Sequence, residues 1–244
     1  MIVLFILFGT LNSNAQPGDT IYISEDIQLI QLKDSIFMHK TWIAGQGGGR
    51  FSANGMIVMK SGKAVMIDTP VNDDLTRELT AYLKSDMGVE LTQLIIGHFH
   101  IDCMGGLPYI QEEGIESIAC SLTIDTCKQL RLPIPSTSFK DQYKIDYHGL
   151  ELVCRHFGGG HTFDNITVWI PSQKILFGGC LVKETAQVNL YDLTEEEADE
   201  WQETITRIID SYPDVQIVVP GHGAAGGIEY LKHTIDLAEK NRVR

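Results

Sequence analysis

The 244-residue sequence predicts an α/β fold in which two β-sheets pack face to face with helices outside. Three observations carry that expectation. Compact apolar runs of strand length recur along the chain, amphipathic helical patterns follow them, and this order of strands then helices occurs twice. No Pro/Ser-rich linker and no internal repeat divides the chain. With 43% apolar and 21% charged residues, one domain, or two fused half-domains sharing a core, is expected.

The elements follow in order. After a first short run, "TIYIS", the stretches "IQLIQLKDSIFMHKTWIA" and "GMIVMKSGKAVMID" read as β-strands, with Ser61-Gly62 as the turn of a hairpin. Leu75, Leu79, Tyr82 and Leu83 recur at helical spacing and predict an amphipathic helix over 72–85. "QLIIG" is the next strand. In the second half "LELVCRHF", "ITVWI" and "KILFG" are strands, followed by a helix from Thr194. Thr194 and Glu197 form a capping box there, and Ala198, Trp201, Ile205, Ile208 and Ile209 line one face. "VQIVV" is a further buried strand, and residues 227–240 form a closing helix.

The ends and the overall charge set limits on function. The N-terminal apolar run Ile2 to Phe8, followed by "NSNA", reads as a secretory signal cleaved after Ala15. That leaves residues 16–244 as the mature domain, and export to the periplasm of a Gram-negative bacterium is expected. No later stretch reaches the roughly twenty apolar residues of a transmembrane helix, so no stable membrane insertion is expected after cleavage. The net charge of −13 argues against a nucleic-acid partner. It leaves small-molecule substrates open, because a local site can oppose the global sign.

Four times, a buried strand runs into a Gly-rich turn that carries a zinc-type ligand. These junctions lead to "GHFHIDCMGG" at 97–106, "GGGH" ending at His161, "GGC" ending at Cys180 and "PGHG" around His222. Strand ends on a rigid sheet are where a fold can converge side chains from distant sequence. His98 and His100 stand two residues apart, a spacing that on a strand points both the same way. With His161 they make a three-nitrogen site that keeps a fourth position open, the arrangement of catalytic zinc. Asp102, Cys180 and His222 remain for a second ion, and one oxygen, one sulfur and one nitrogen donor suit zinc better than magnesium or calcium.

The other candidates are read more plainly. His39, His148, His156 and His233 are expected as surface or packed imidazoles. Cys103 adjoins Asp102 but is expected to face elsewhere. Cys120 and Cys127, seven positions apart beside one helix, are too distant for a disulfide within it, and with Cys154 they are expected as buried free thiols.

The pattern His-x-His-x-Asp with Gly105-Gly106, then "GGGHTFDN", "GGCLVKE" and "VVPGHG", resembles the metallo-β-lactamase superfamily over essentially the whole mature chain. The resemblance implies an αββα sandwich with two Zn(2+) ions in a groove at one edge of the sheets. Thioesterases of the glyoxalase II type, nucleases and phosphodiesterases share that scaffold. They usually continue the motif with a histidine after the aspartate and carry a metal-bridging aspartate later, where this chain has Cys103 and Cys180. The exchange is similar to the Cys-containing, di-zinc subclass of class B β-lactamases, and especially to the carbapenem-hydrolysing enzymes of Bacteroides-type bacteria. What this implies is hydrolysis of the β-lactam amide by a metal-bound hydroxide in a monomer, with a thioesterase or phosphodiesterase as the alternative. The resemblance further implies that Lys183 pairs with the substrate carboxylate and that Asn189 lies near the lactam carbonyl. With Asp102 these are the candidate catalytic residues. Asp68, from "MIDTP", would orient the ligand loop. Residues 42–51 correspond to a flap over the groove, and its Gly47-Gly48-Gly49 tip would cost more entropy to order than an aromatic one.

Overall fold

The computed structural model describes residues 18–44, 49–190 and 198–242. The expected leader at 1–15, the flap tip with Gly47 and Gly48, and the capping pair Thr194 and Glu197 lie outside the described residues. An antiparallel meander opens the chain: β1 (Thr20–Tyr22), β2 (Ile27–Lys33), β3 (Ile36–Ala44), β4 (Arg50–Lys60) and β5 (Lys63–Ile67). The β4–β5 turn has Ser61 at φ 54° and Gly62 at φ 73°. Two successive left-handed residues are what a tight type I′ hairpin requires, and glycine adopts that state without a Cβ penalty.

From there the chain turns to parallel addition. Helix α1 (Asp73–Ser85) leads to β6 (Glu90–Ile95), α2 (Ile101–Met104) and α3 (Leu107–Glu112) lead to β7 (Glu116–Cys120), and α4 (Ser121–Leu130) leads to β8 (Thr137–Phe139). The result is an eight-stranded sheet in sequence order. The second sheet, in the order β13-β12-β11-β10-β9, is built from β9 (Gln142–Tyr147), β10 (Leu150–His156), β11 (Ile166–Ile170), β12 (Ile175–Gly179) and β13 (Ile217–Pro220). Only β13 pairs in parallel there, after the crossover helix α5 (Ala198–Ser211), and α6 (Glu229–Arg242) closes the chain.

Three apolar layers hold the sandwich. Met38, Met56, Ile67, Ile118, Leu152 and Phe177 fill the space between the sheets. Leu79 and Leu83 of α1 pack with Met66, Leu94 and Ile110 on the outer face of the first sheet. Trp201, Ile205 and Ile208 of α5 pack with Leu176, Val218 and Leu231 on the outer face of the second. The expected order of layers, αββα, is the one observed.

Helix α1 shows how local chemistry fixes a boundary. Asn72, extended at φ −156°, accepts a hydrogen bond from the Leu75 N–H at 2.9 Å and so caps the helix. Asp73 and Asp74 then favour the positive end of the dipole, and Lys84 the other. Leu79 is fully buried. Replacing it with Ala is expected to destabilise the fold by about 2–5 kcal/mol, and Asn72→Ala by only about 1 kcal/mol. Urea melts of the two variants compare these directly.

Candidate metal centre

Six donor side chains meet at one edge of the sandwich, beyond the ends of β6, β12 and β13 and in the turn after β10. His98 Nε2 lies 3.0 Å from His100 Nδ1, which lies 3.1 Å from His161 Nε2. Cys180 Sγ lies 3.4 Å from both Asp102 Oδ2 and His222 Nε2, and the last two are themselves 3.4 Å apart. His98 joins the two groups, because its donor atom also falls within 4.8 Å of those of Asp102 and Cys180. The two expected triads are therefore halves of one continuous cluster.

One structural expectation about this cluster is corrected. His98 and His100 do not lie on a strand: β6 ends at Ile95, and His100 is the residue that caps α2. Their convergence comes from a turn held by backbone contacts, not from strand alternation. The Phe99 N–H between them donates to the buried Asp164 carboxylate at 3.1 Å, and Thr123 donates to the same oxygen at 2.7 Å.

A second correction concerns Cys103. It does not face away but lies beneath the cluster, with Sγ 3.1 Å from His98 Nδ1 and hydrogen-bonding contact to Asp68 and Cys180. The contact with Cys103, against the opposing effect of burial, holds Cys180 well below the usual thiol range, and the charge of His222 adds to it. Burial, the contact with Cys180 and the nearby Asp68 and Asp102 charges push the Cys103 thiol up. Of the two sulfurs, Cys180 is the one whose surroundings favour the thiolate, with His222 3.4 Å away.

The charges test whether a metal suits these residues. Burial works against ionisation of Asp102, but the His222 hydrogen bond and the His98, His222 and His161 charges outweigh it, and its carboxyl sits well below the usual range. The Cys180 thiolate is the first cause, with Asp102 adding to it, that His222 is raised to about 11. Carboxylate and thiolate side by side thus demand a positive charge, which a divalent ion supplies while displacing the proton. On the other side, burial and then the charges of His98 and Lys183 push His161 down, so its lone pair is free for coordination. Three convergent imidazole nitrogens, and an O, S, N set beside them, fit zinc.

Neighbouring groups orient the donors. His222 Nδ1 donates to the Ser52 carbonyl at 2.8 Å, which leaves Nε2 facing Asp102 and Cys180. Asn54 donates from Nδ2 to the carbonyls of Pro220 at 2.9 Å and Gly223 at 3.1 Å, bracketing His222. Asp68 accepts the Gly97 N–H at 2.5 Å, immediately before His98, and its carbonyl accepts from His39 Nε2 at 2.9 Å. Glu184 accepts the Ala224 N–H at 3.0 Å, tying the segment after Cys180 to the turn after His222. Asn165 accepts the Thr162 N–H at 3.0 Å and donates to the Gly158 carbonyl at 3.0 Å, pinning the turn that carries His161.

Lys183, three residues after Cys180, is only 4% exposed, with its N–H donating to Thr234 Oγ1 at 2.9 Å and its charge felt at His161. Asn189 is exposed and outside it, with its carbonyl accepting from Gln187 Nε2 at 3.0 Å. His148 sits exposed in a turn, while His156 and His233 bond to the carbonyls of Phe163 and Gln187. All five cysteines are buried and free.

The family model of the metallo-β-lactamase superfamily matches residues 48–222, a span that contains all six donors. The chain belongs to the metallo-β-lactamase superfamily. It is 36% identical to the metallo-β-lactamase type 2 of Bacteroides fragilis over 235 residues, covering 96% of this chain and 94% of that one. To the type 2 enzyme of Bacillus cereus it is 31% identical, covering 86% of this chain and 82% of the relative. Among solved structures, VMB-1 superposes with a TM-score of 0.85 at 32% identity, covering 90% of this chain and 99% of that one. The DIM-1 metallo-β-lactamase does so at 0.84 and 33%, covering 88% and 98%. Metal binding is what this family implies, and this cluster is where the chain's donor side chains converge.

His39 adds a pH dependence to this metallo-β-lactamase fold. Burial lowers its pKa from 6.5 to about 4 despite the bond to Asp68. Between those values the unfolded chain takes up a proton that the folded chain refuses. The His39 contribution is therefore complete above pH 6.5 and is lost as pH falls toward 4. The stability difference between the wild type and His39→Gln should change by about 3 kcal/mol across that window, measured by urea unfolding at each pH.

Proposed function

We propose that the protein hydrolyses the amide bond of β-lactam antibiotics, carbapenems included, as an enzyme with two zinc ions. The observation that carries this reading is Cys180, whose sulfur sits 3.4 Å from both Asp102 and His222. By the sequence resemblance, Cys180 would stand where thioesterases and phosphodiesterases of this scaffold carry a bridging aspartate. His98, His100 and His161 would hold one ion, and Asp102, Cys180 and His222 the other. When bound, zinc supplies Lewis acidity, polarising an acyl oxygen and making water acidic enough to attack at neutral pH.

The chain's own residues do the remaining work. Lys183 presents a single ammonium beside the cluster, suited to the carboxylate that β-lactams carry. Asn189, on the exposed segment that follows, would offer its amide to the lactam carbonyl. Asp102 stays ionised through its neighbours, so it serves as a ligand and as a fixed negative charge facing the reaction. Asp68 holds the loop of His98 and His100 from below. No serine is needed as nucleophile, so no acyl-enzyme forms. Residues 1–15 would direct export and be removed, leaving 16–244 as a periplasmic monomer. No helix among the described residues is long and apolar enough to cross a membrane.

Chelation is expected to abolish carbapenem turnover, with zinc restoring it. Cys180→Ser should keep about one zinc per chain and lose most of the second, as read by metal analysis after dialysis. Full activity in excess chelator would overturn the proposal, as would thioester hydrolysis without β-lactam hydrolysis by the zinc-loaded protein.

A further inference from the structure

We infer that Trp201 of α5 is a positioning residue for Lys183, holding its ammonium beside the metal centre through the face of the indole ring. This rests on the role of Lys183 proposed above. Three contacts of one fully buried side chain support it. The Lys183 Nζ lies 5.3 Å from the centre of the Trp201 ring. On the edge, Nε1–H donates to the Leu181 carbonyl at 2.9 Å, two residues before Lys183 and one after Cys180. At the other side the ring meets Gly160, where a Cβ would run into Leu181 and Trp201. Trp201 thus touches the turn carrying His161, the turn carrying Cys180 and the head of Lys183.

The helix fixes that ring firmly. Ile205 and Ile208 on the same side of α5 are fully buried. Thr204 donates to the Gly159 carbonyl at 2.7 Å, and Arg207 Nε donates to that of Phe157 at 2.8 Å. The backbone of Lys183 is held separately, its N–H donating to Thr234 Oγ1 of α6 at 2.9 Å. A flexible four-carbon stem is therefore fixed at its base by one helix and at its tip by another. An ammonium taken out of water gains most from an aromatic face, and indole is the strongest of the three. The same ring that meets the Lys183 head borders Gly160, the residue before His161, so the head is held against the turn that carries one of the donors. A carboxylate arriving there meets a cation already in place, without the entropy loss of ordering a solvated lysine.

The test places fluorinated tryptophan at position 201 alone in the full-length, zinc-loaded protein. Mono-, di- and trifluorination keep the N–H and the shape but weaken the ring's attraction for a cation. The expected result is a stepwise rise in KM for a carboxylate-bearing β-lactam, reaching about fivefold with three fluorines. Over the series kcat should change less than KM, with zinc content unchanged. In Lys183→Met the same series should leave KM flat. Independently of metal and turnover, the 19F resonance of the monofluorinated protein should shift on Lys183→Met. A KM that stays level or falls with fluorination, an equal effect in Lys183→Met, or an unmoved resonance each overturns the inference. If the protein turns over no β-lactam, the proposed function fails, and the resonance alone decides whether Trp201 braces Lys183.

Discussion

The centre is organised by one unfavourable pairing, the carboxylate of Asp102 against the thiolate of Cys180 at 3.4 Å. Two negative charges that close, one buried and one nearly so, repel each other and have lost much of their hydration. The structure tolerates them only because cationic or cation-seeking groups surround them. His222 lies 3.4 Å from each and is driven to carry a proton as long as nothing stronger supplies the charge. Across the cluster burial pushes His161 down, so its lone pair faces inward beside the nitrogens of His98 and His100. A metal satisfies both sides at once, and for that reason the same six residues read as a binding site and not as a strained salt bridge.

Holding that arrangement falls to backbone groups more than to side-chain packing. Each donor sits in a turn, and turns expose N–H and C=O groups that must be paired when buried. Here those pairings are also the positioning device. Asp164 and Asp68 accept the N–H groups on either side of His98. Asn54 spans the His222 turn from the opposite sheet, and the Ile166 N–H donates to the Gly97 carbonyl at 2.9 Å to join the two sheets at the same edge. The sandwich is thus locked together where the ligands are, so misplacement of one turn would be felt by the others.

How much of this the sequence revealed depends on the kind of pattern involved. The strands and α1 were legible because period-two and period-3.6 burial is written locally, and Leu79 and Leu83 fall where the periodicity puts them. The six donors were legible because each follows a strand and a run of glycines. The path between His98 and His100 was not, since residue spacing alone cannot tell a strand from a turn braced by Asp164, sixty-five positions from Phe99. Cys103 was misread for a related reason. Its direction is set by the single turn of α2, which swings it under His98. Asn54 left a faint signal as a polar residue just ahead of the apolar run Met56 to Met59, and Asp164-Asn165 as a polar pair just after His161. Trp201 left none of its role, because its apolar helical spacing is equally that of any core residue.

The chain's net charge of −13 and an anionic substrate are physically compatible once distance is considered. At physiological ionic strength, exposed charges are screened over about 8 Å. Carboxylates spread across the surface therefore contribute little at the edge of the sandwich. What an arriving carboxylate meets at close range is different. With the two zinc ions proposed, four positive charges stand against the single negative charges of Asp102 and Cys180, with Lys183 adding one more. The local sign is reversed within a few ångströms by groups that are mostly buried and therefore weakly screened. On the proposed reading, anion recognition at this site would be short-range, and it would depend on where one ammonium is held more than on the overall field of the protein.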